Sequence, residues 1–551
     1  MNTRRSSLFS SLLTSILILA FLVSCTPTPT TENTPVAVEN TSVPVENTPV
    51  VEAKPTETRS APTEAVVSRN DVKIAQWGDI TTLDPSYLSS TERELVVQNC
   101  IYSGLVKYKV GTWEIVPDVA ERWEISANNL EITFYLRKGV QFQKGYGELT
   151  AEDVKFSYER IIDPAQNSPE ISSWAALDHI DIIDDYTVKL VLKNPSANLF
   201  TSTLPLNAGF IVSRKAVEEM GNEKFGLNPI GSGPYEFDHW TPGQEVVLTA
   251  FADYFGDPPK IEKVSFIPIE EVSTREAALK TGEIDVAEIS LLSVEEFQAN
   301  SDLIVTLKPG LKYWWIGFLV TQPPFDNIKV REAIRYTINV DEILQAAFNG
   351  IPERANTMFP KGMLGRWEDA PAYEPDLEKA KALLADAGYP DGASLGELTF
   401  LMWQGEDTAI IGEVVKSQLA QIGINVKVES VEVGLFNDMT TSGKGNNFHI
   451  SFFATTVDPG YATEWFQCEQ TWNLSKWCNP TYDELWQKGA SEMDTQKRAD
   501  IYTEMQKIID QDIWAIWLTN DVKAVTTQIN LDPGEIFPNG RVAPWQMEWK
   551  K

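Results

Sequence analysis

The chain has 551 residues, 43% of them hydrophobic and 23% charged, which is enough for several domains and too apolar for a wholly disordered chain. Its 46 Lys and Arg against 78 Asp and Glu give a formal charge of −32, which repels nucleic-acid phosphates and anionic lipid headgroups. Three His and four Cys leave little material for a dense metal site, and neither a resident metal nor a cofactor is expected.

The first segment reads as an export signal. Arg4 and Arg5 supply its positive end, and the uncharged apolar run Leu8 to Val23 is shorter than the ~20 residues a membrane span needs. The run ends in Leu22-Val23-Ser24-Cys25, which resembles the lipobox of bacterial lipoproteins, where the chain is cut ahead of a Cys that carries diacylglycerol. That likeness implies a signal peptide over residues 1–24 and lipidation of Cys25. The plainer alternatives are an ordinary signal peptide with an incidental Cys, or an uncleaved anchor. Residues 25–70 turn to Thr, Pro, Val and Glu in a heptad echo: Glu32-Asn33-Thr34-Pro35-Val36, Glu39-Asn40-Thr41-Ser42-Val43 and Glu46-Asn47-Thr48-Pro49-Val50. Recurrent Pro and the lack of a Leu/Ile seam exclude a coiled coil. With no aromatic residue to bury, the stretch is predicted to be a disordered tether holding a globular body outside a membrane.

From Asp71 onward strand-like and helix-like segments alternate, which predicts an α/β body. Ile132–Leu136 alternates as a strand and runs into a turn at Gly139. Thr150, with Asp153 as its acidic partner, predicts a helix from Ala151. Apolar spacing predicts helices over Val330–Leu344, over Glu378–Ala387 closed by Gly388, and over Gly412–Ile422 stopped by Gly423. A strand over Ile424–Val428 and a charge-laced helix over Arg498–Asp510 follow. Gly231-Ser232-Gly233-Pro234 reads as a tight turn in which Gly allows positive φ, a structural crossover rather than a ligand contact. Arg137 is expected in an ion pair, Cys100 as a buried inert thiol, and His449, beside Phe448 and Phe452, as packing.

Several blocks occur in an order that carries a resemblance. They begin with Val119-Ala120-Glu121-Arg122-Trp123, Thr133-Phe134-Tyr135-Leu136-Arg137-Lys138-Gly139 and Leu149-Thr150-Ala151-Glu152-Asp153-Val154. Gly231-Ser232-Gly233-Pro234-Tyr235, Leu279-Lys280-Thr281-Gly282-Glu283-Ile284-Asp285 and Pro324-Phe325-Asp326 follow. Lys379-Ala380-Lys381-Ala382-Leu383-Leu384 and Trp477-Cys478-Asn479-Pro480 complete the series. Over roughly residues 71 to 530 the chain resembles extracellular solute-binding protein family 5, the dipeptide-, oligopeptide- and nickel-binding components of ABC importers. The resemblance implies an α/β, two-lobed periplasmic-binding-protein clamp of type II, with an extra subdomain in the first lobe. Lobe I is expected from residues 71–113, 230–324 and 525–551, the extra subdomain from 114–229, and lobe II from 325–524. Such a clamp closes to the extent that ligand binds the closed state better than the open one. The expected partners are permease and ATPase subunits on other chains, since no phosphate-loop motif is present here, and the chain itself is expected to be a monomer. Cys468 and Cys478 frame a short loop that a disulfide closes easily, and family members often carry this bridge.

The ligand is less legible. Peptide binders of the family commonly carry an Asp ahead of an Asp-Pro loop to pair with the peptide amine; in Phe452-Phe453-Ala454-Thr455-Thr456-Val457-Asp458-Pro459 that place is Thr455. Short-peptide members tend to carry an Arg after the strand equivalent to Leu398–Trp403, where this chain reads Gln404-Gly405-Glu406-Asp407. A dipeptide specialist is therefore disfavoured, and the expected ligand is an oligopeptide, with an oligosaccharide as the alternative. Trp315, Trp403, Phe453, Thr455 and Asp458 are the expected ligand contacts, with Trp314, Trp465 and Trp472 in segments near the cleft. No HExxH, GxSxG or CxxC motif supports an enzyme; a pair of carboxylates acting as a glycosidase, or a surface receptor that signals, are the other classes to weigh. The expected location is outside the cytoplasmic membrane or in a periplasm, with membrane contact through the lipid alone and no nucleic-acid partner.

Overall fold

Two strands rich in β-branched and aromatic residues are far longer than the rest, and they organise the body. The computed structural model describes residues 69–88, 92–444, 448–454 and 456–550; the signal segment, Cys25, the tether up to Ser68 and Thr455 lie outside the described residues. In chain order the main strands begin with β1 (Asp71–Gln76), β2 (Ala120–Ile125), β3 (Glu131–Leu136), β4 (Leu177–Asp184), β5 (Thr187–Leu192), β6 (Tyr235–Thr241) and β7 (Glu245–Ala250). They continue with β8 (Lys263–Pro268), β9 (Val286–Ile289), β10 (Leu303–Phe318), β11 (Glu397–Trp403), β12 (Asn425–Val431), β13 (Phe448–Ala454) and β14 (Ala515–Gln528). The ten-stranded sheet has the order β6-β7-β8-β1-β9-β14-β10-β13-β11-β12, and β2-β3-β5-β4 form a separate four-stranded sheet. The helices used below are α1 (Glu92–Ile101), α2 (Ala151–Ile162), α3 (Ile328–Arg335), α4 (Val340–Phe348), α5 (Leu377–Asp386), α6 (Glu406–Ala420), α7 (Pro459–Thr463), α8 (Pro480–Ser491) and α9 (Thr495–Asp512).

β10 and β14 pair antiparallel from Leu303↔Gln528 to Gly317↔Ala515, with a break in register between Pro309↔Val522 and Tyr313↔Asn520. Gly310, Leu311 and Lys312 therefore face Asp521 alone, and β10 bulges. On one side of the bulge Leu303 and Ala524 join an apolar core with Leu279 and Phe297. On the other, Trp314, Ile316, Ile516 and Leu518 enter a different core, under α3, α4 and α6. The opposite face of β10 sends Tyr313 and Trp315 into a third core against α9, joined by Trp514 just ahead of β14. Asp521 accepts the Lys312 backbone N–H at 2.9 Å, and its carboxylate fills the space at Gly310, where an added Cβ would lie 1.6 Å from Oδ1. A side chain at 310 would push that carboxylate away from the Lys312 N–H.

Local signals carry through in several places. Thr150 and Asp153 form the expected capping box at the start of α2. Gly388 and Gly423 both adopt positive φ just beyond α5 and α6. The expected helix over Val330–Leu344 is instead two, α3 and α4, because the Asn339 side chain accepts the Glu342 N–H and opens a new helix. α6 begins at Glu406, ahead of the expected Gly412, with Glu406 and Asp407 in the first turn, where acids favour the helix dipole. Gly231 and Gly233 do not take positive φ; they sit against the end of α1, where an added Cβ would come within 2.1 Å and 2.8 Å of the Ile101 carbonyl oxygen. Arg137 donates to the Asp118 carbonyl oxygen at 2.7 Å, and among the described residues it enters no ion pair. Cys468 and Cys478 are bonded, and Cys100 is free and buried, its thiol pushed well up by desolvation.

Candidate ligand-binding cleft

β11 runs parallel to β12 and to β13, so their carboxyl ends lie on one edge of the sheet. In open α/β sheets that edge is where loops converge and ligands bind. After β11 come Trp403 to Asp407 and the start of α6; after β13 come residues 455–458 and α7. Lys312 of β10 pairs with Ala454, which brings it to the same edge. The edge faces Thr201 and Glu170, from the segment 114–229.

Asp458 is fully buried and joins these two sides. Its carboxylate accepts both terminal nitrogens of Arg498 of α9 at 2.9 Å, the Gly460 N–H at the start of α7 at 2.8 Å, and the Thr201 hydroxyl. Four donors fill the roughly four lone-pair positions of a carboxylate, so Asp458 has no capacity left for a ligand amine. Its expected role as a ligand contact is corrected to that of a latch between the two sides. Nearby, the Ala197 N–H donates to the Ala490 carbonyl at 3.2 Å, and Val457 packs on the core that includes Tyr108 and Phe210.

Beside the latch, burial, with help from Asp458 and Glu170, pushes the Glu464 carboxyl up to about 7. Burial likewise raises Glu170, which accepts the Ser173 hydroxyl at 2.7 Å, and it raises Tyr461. Two carboxyl groups therefore approach each other across the cleft in a poorly solvated place.

The expected aromatic contacts divide by strand face. Trp314 and Trp403 lie on the face of β10 and β11 that also carries Phe452, with ring centroids 5.0–5.6 Å apart. Trp403 and Phe452 are half-buried at the carboxyl edge. Trp315 points to the other face, is 1% exposed, and is enclosed by Tyr313, Phe453, Phe466 and Trp517; its place is in a core, not on the open edge. Phe453 is half-buried between that core and Trp465, whereas Trp472 is largely exposed. Thr455 lies outside the described residues. His449 is buried and neutral, its pKa pushed down to about 3 by desolvation, and it fits over Gly317, where an added Cβ would lie 2.5 Å from Nε2. Among the described residues no group of His, Cys, Asp and Glu is arranged to hold a metal.

Sequence reasoning missed Thr201, Arg498, Glu464 and Lys312. The latch residues come together across 40 and 257 positions of chain, a distance over which no local pattern operates.

A clamp of two α/β parts sharing one sheet, with a cleft at the carboxyl edge, defines the type II periplasmic binding fold. The family described as bacterial extracellular solute-binding proteins, family 5 (middle), matches residues 114–473, and the chain belongs to it. The dipeptide-binding protein of Escherichia coli K12 is 28% identical over 436 residues, covering 74% of this chain and 81% of that protein. The glutathione-binding protein GsiB of Shigella dysenteriae is 30% identical over 461 residues, covering 80% of this chain and 87% of that one. The solved structure of the ABC transporter-associated periplasmic binding protein DppA from Helicobacter pylori, in complex with the peptide STSA, matches with a TM-score of 0.75. It is 28% identical, covering 88% of this chain and 99% of the other.

Proposed function

We propose that this chain captures oligopeptides in the cleft at the carboxyl edge of β11 and β13 and presents them, closed in, to the permease of an ABC importer. The observation that carries the reading is the half-buried aromatic floor of Trp403 and Phe452 at that edge, in a chain whose relatives include a protein solved with a bound peptide. An oligosaccharide finds less support: of Trp315 and Trp403, the pair that would form a sugar-stacking platform, Trp315 is enclosed in a core, and the relatives are named for dipeptide, glutathione and peptide ligands. The protein binds and releases its ligand unchanged and works as a monomer, with transport energy coming from subunits on other chains. Cys25 carries the lipid, and the tether of residues 25–70 holds the body at the outer face of the membrane. The bulge at Gly310–Lys312 against Asp521 is the hinge between the lobes, supported by the change of core on either side of it, so lobe I comprises residues 71–113, 230–309 and 522–551 with the subdomain 114–229, and lobe II residues 313–520, with the boundary ahead of the one expected at 324/325. Mass spectrometry of the ligand released by denaturing protein from its native host tests the central claim. Peptides of three or more residues are expected, and a discrete hexose ladder overturns the reading.

A further inference from the structure

Lys312 is the last residue of the β10 bulge and the first residue of that strand to pair with β13. Its ammonium lies 4.9 Å from the centre of the Phe452 ring, on the floor shared with Trp314 and Trp403. The side chain is half-buried. Aromatic faces hold a cation weakly and keep water from one side of it, which strengthens its attraction for any anion that arrives.

Among the sheltered cations of this acidic chain, Arg160 ends on Asp84, Arg498 on Asp458 at 2.9 Å and Lys523 on Glu288 at 3.0 Å, while Arg275 and Arg331 spend their donors on backbone carbonyls. The Lys312 ammonium does neither among the described residues and meets an aromatic ring instead. Among the described residues no carboxylate comes within ion-pairing distance of its ammonium. Asp521 takes the Lys312 backbone N–H instead. Asp407 feels the lysine's charge from beyond ion-pairing distance, and its carboxylate accepts the Thr408 N–H at 2.8 Å in the first turn of α6. A cation over an aromatic floor, held by no carboxylate within ion-pairing distance and set at the carboxyl edge, can receive a further negative charge.

We infer that Lys312 anchors a carboxylate of the bound ligand over the Trp314–Trp403–Phe452 floor, so that the protein selects ligands able to place a free carboxylate there. The inference rests on the peptide reading above and deepens it by naming the recognised group. The carboxylate belongs either to the peptide's C-terminus or to an Asp or Glu side chain. Lys312 thus performs, from a different strand, the task for which an arginine was sought after β11.

The test uses the full chain freed of its own ligand, as wild type, Lys312→Met and Lys312→Arg. Methionine keeps the aliphatic stem on Phe452 and removes the charge; arginine restores it. Each protein is incubated with a synthetic library of tri- to pentapeptides made as free acids and as C-terminal amides, and the retained peptides are read by mass spectrometry. For wild type we expect carboxylate-bearing peptides to be enriched about tenfold or more, the enrichment to vanish in Lys312→Met, and most of it to return in Lys312→Arg. Enrichment of free acids over amides assigns the C-terminus; enrichment of Asp- and Glu-containing amides assigns a side chain. Equal retention of charged and uncharged peptides by wild type, or an enrichment that survives in Lys312→Met, overturns the anchor and leaves peptide binding standing. Retention of no peptide by wild type overturns both.

Discussion

Asp458 is met by four donors from its own chain, whereas Lys312, on the neighbouring strand of the same edge, faces an aromatic ring and, among the described residues, no carboxylate within ion-pairing distance. Both are charges sheltered from water beside one cleft, yet sequence singles out Asp458 as a ligand contact and passes over Lys312. The difference lies in saturation. A carboxylate whose lone pairs are filled holds protein parts together, while a cation left open has binding capacity to give to something else. Glu464 stands between them: it is sheltered like Asp458 but poorly compensated, and so it holds its proton to about pH 7.

The largest effect is expected from Asp458→Ala. Removing one member of a buried pair strands the Arg498 guanidinium, and urea unfolding should show a loss of about 3–5 kcal/mol. A loss below about 1 kcal/mol would mean that the corner is not saturated as described. Glu464→Gln comes next. The folded chain keeps this proton more tightly than the unfolded chain, where the carboxyl has its ordinary value of 4.5. The stability this group supports is therefore whole below about pH 4.5 and is lost as the pH rises to about 7. Because Glu464 retains some exposure, we expect the stability of wild type relative to Glu464→Gln to fall by about 2 kcal/mol across that window, measured by chemical denaturation at pH 4.5 and pH 8. A difference that does not change with pH would place Glu464 in water. The smallest effect belongs to Thr201→Val, which removes one of the four donors to Asp458. Stability should change by no more than about 1 kcal/mol, but the two sides of the cleft lose a link, so ligand should leave about fivefold faster in stopped-flow dissociation. An unchanged off-rate would confine the Thr201 contact to static packing.

What could be read from sequence was whatever acts locally. The Thr150–Asp153 box and the glycines after α5 and α6 work within a few residues and are visible as spacing. The join at Asn339 was missed because an apolar period continues across it, and only the side chain's choice of Glu342 N–H over solvent separates the helices. The family blocks pointed to the clamp, yet they could not say which of two adjacent tryptophans, Trp314 or Trp315, would turn to the floor. Strand alternation sends the pair to opposite faces, and which face meets the cleft depends on strands more than 80 residues further on in the chain. Asp458 was chosen for its place in an Asp-Pro loop, but its role is set by Arg498 and Thr201, which no nearby residue announces.

The position of β14 also governs when the protein can exist at all. It lies between β9 and β10, in the middle of the ten-stranded sheet, yet it is the last of the ten to be made. Until residues 515–528 are in place, β9 and β10 each keep an unpaired edge, and the sheet common to both halves stays open. Any folding before that strand joins leaves these edges exposed to mispairing. A premature stop shortly before Ala515 would leave not a clamp missing its tail but two half-sheets with nothing between them.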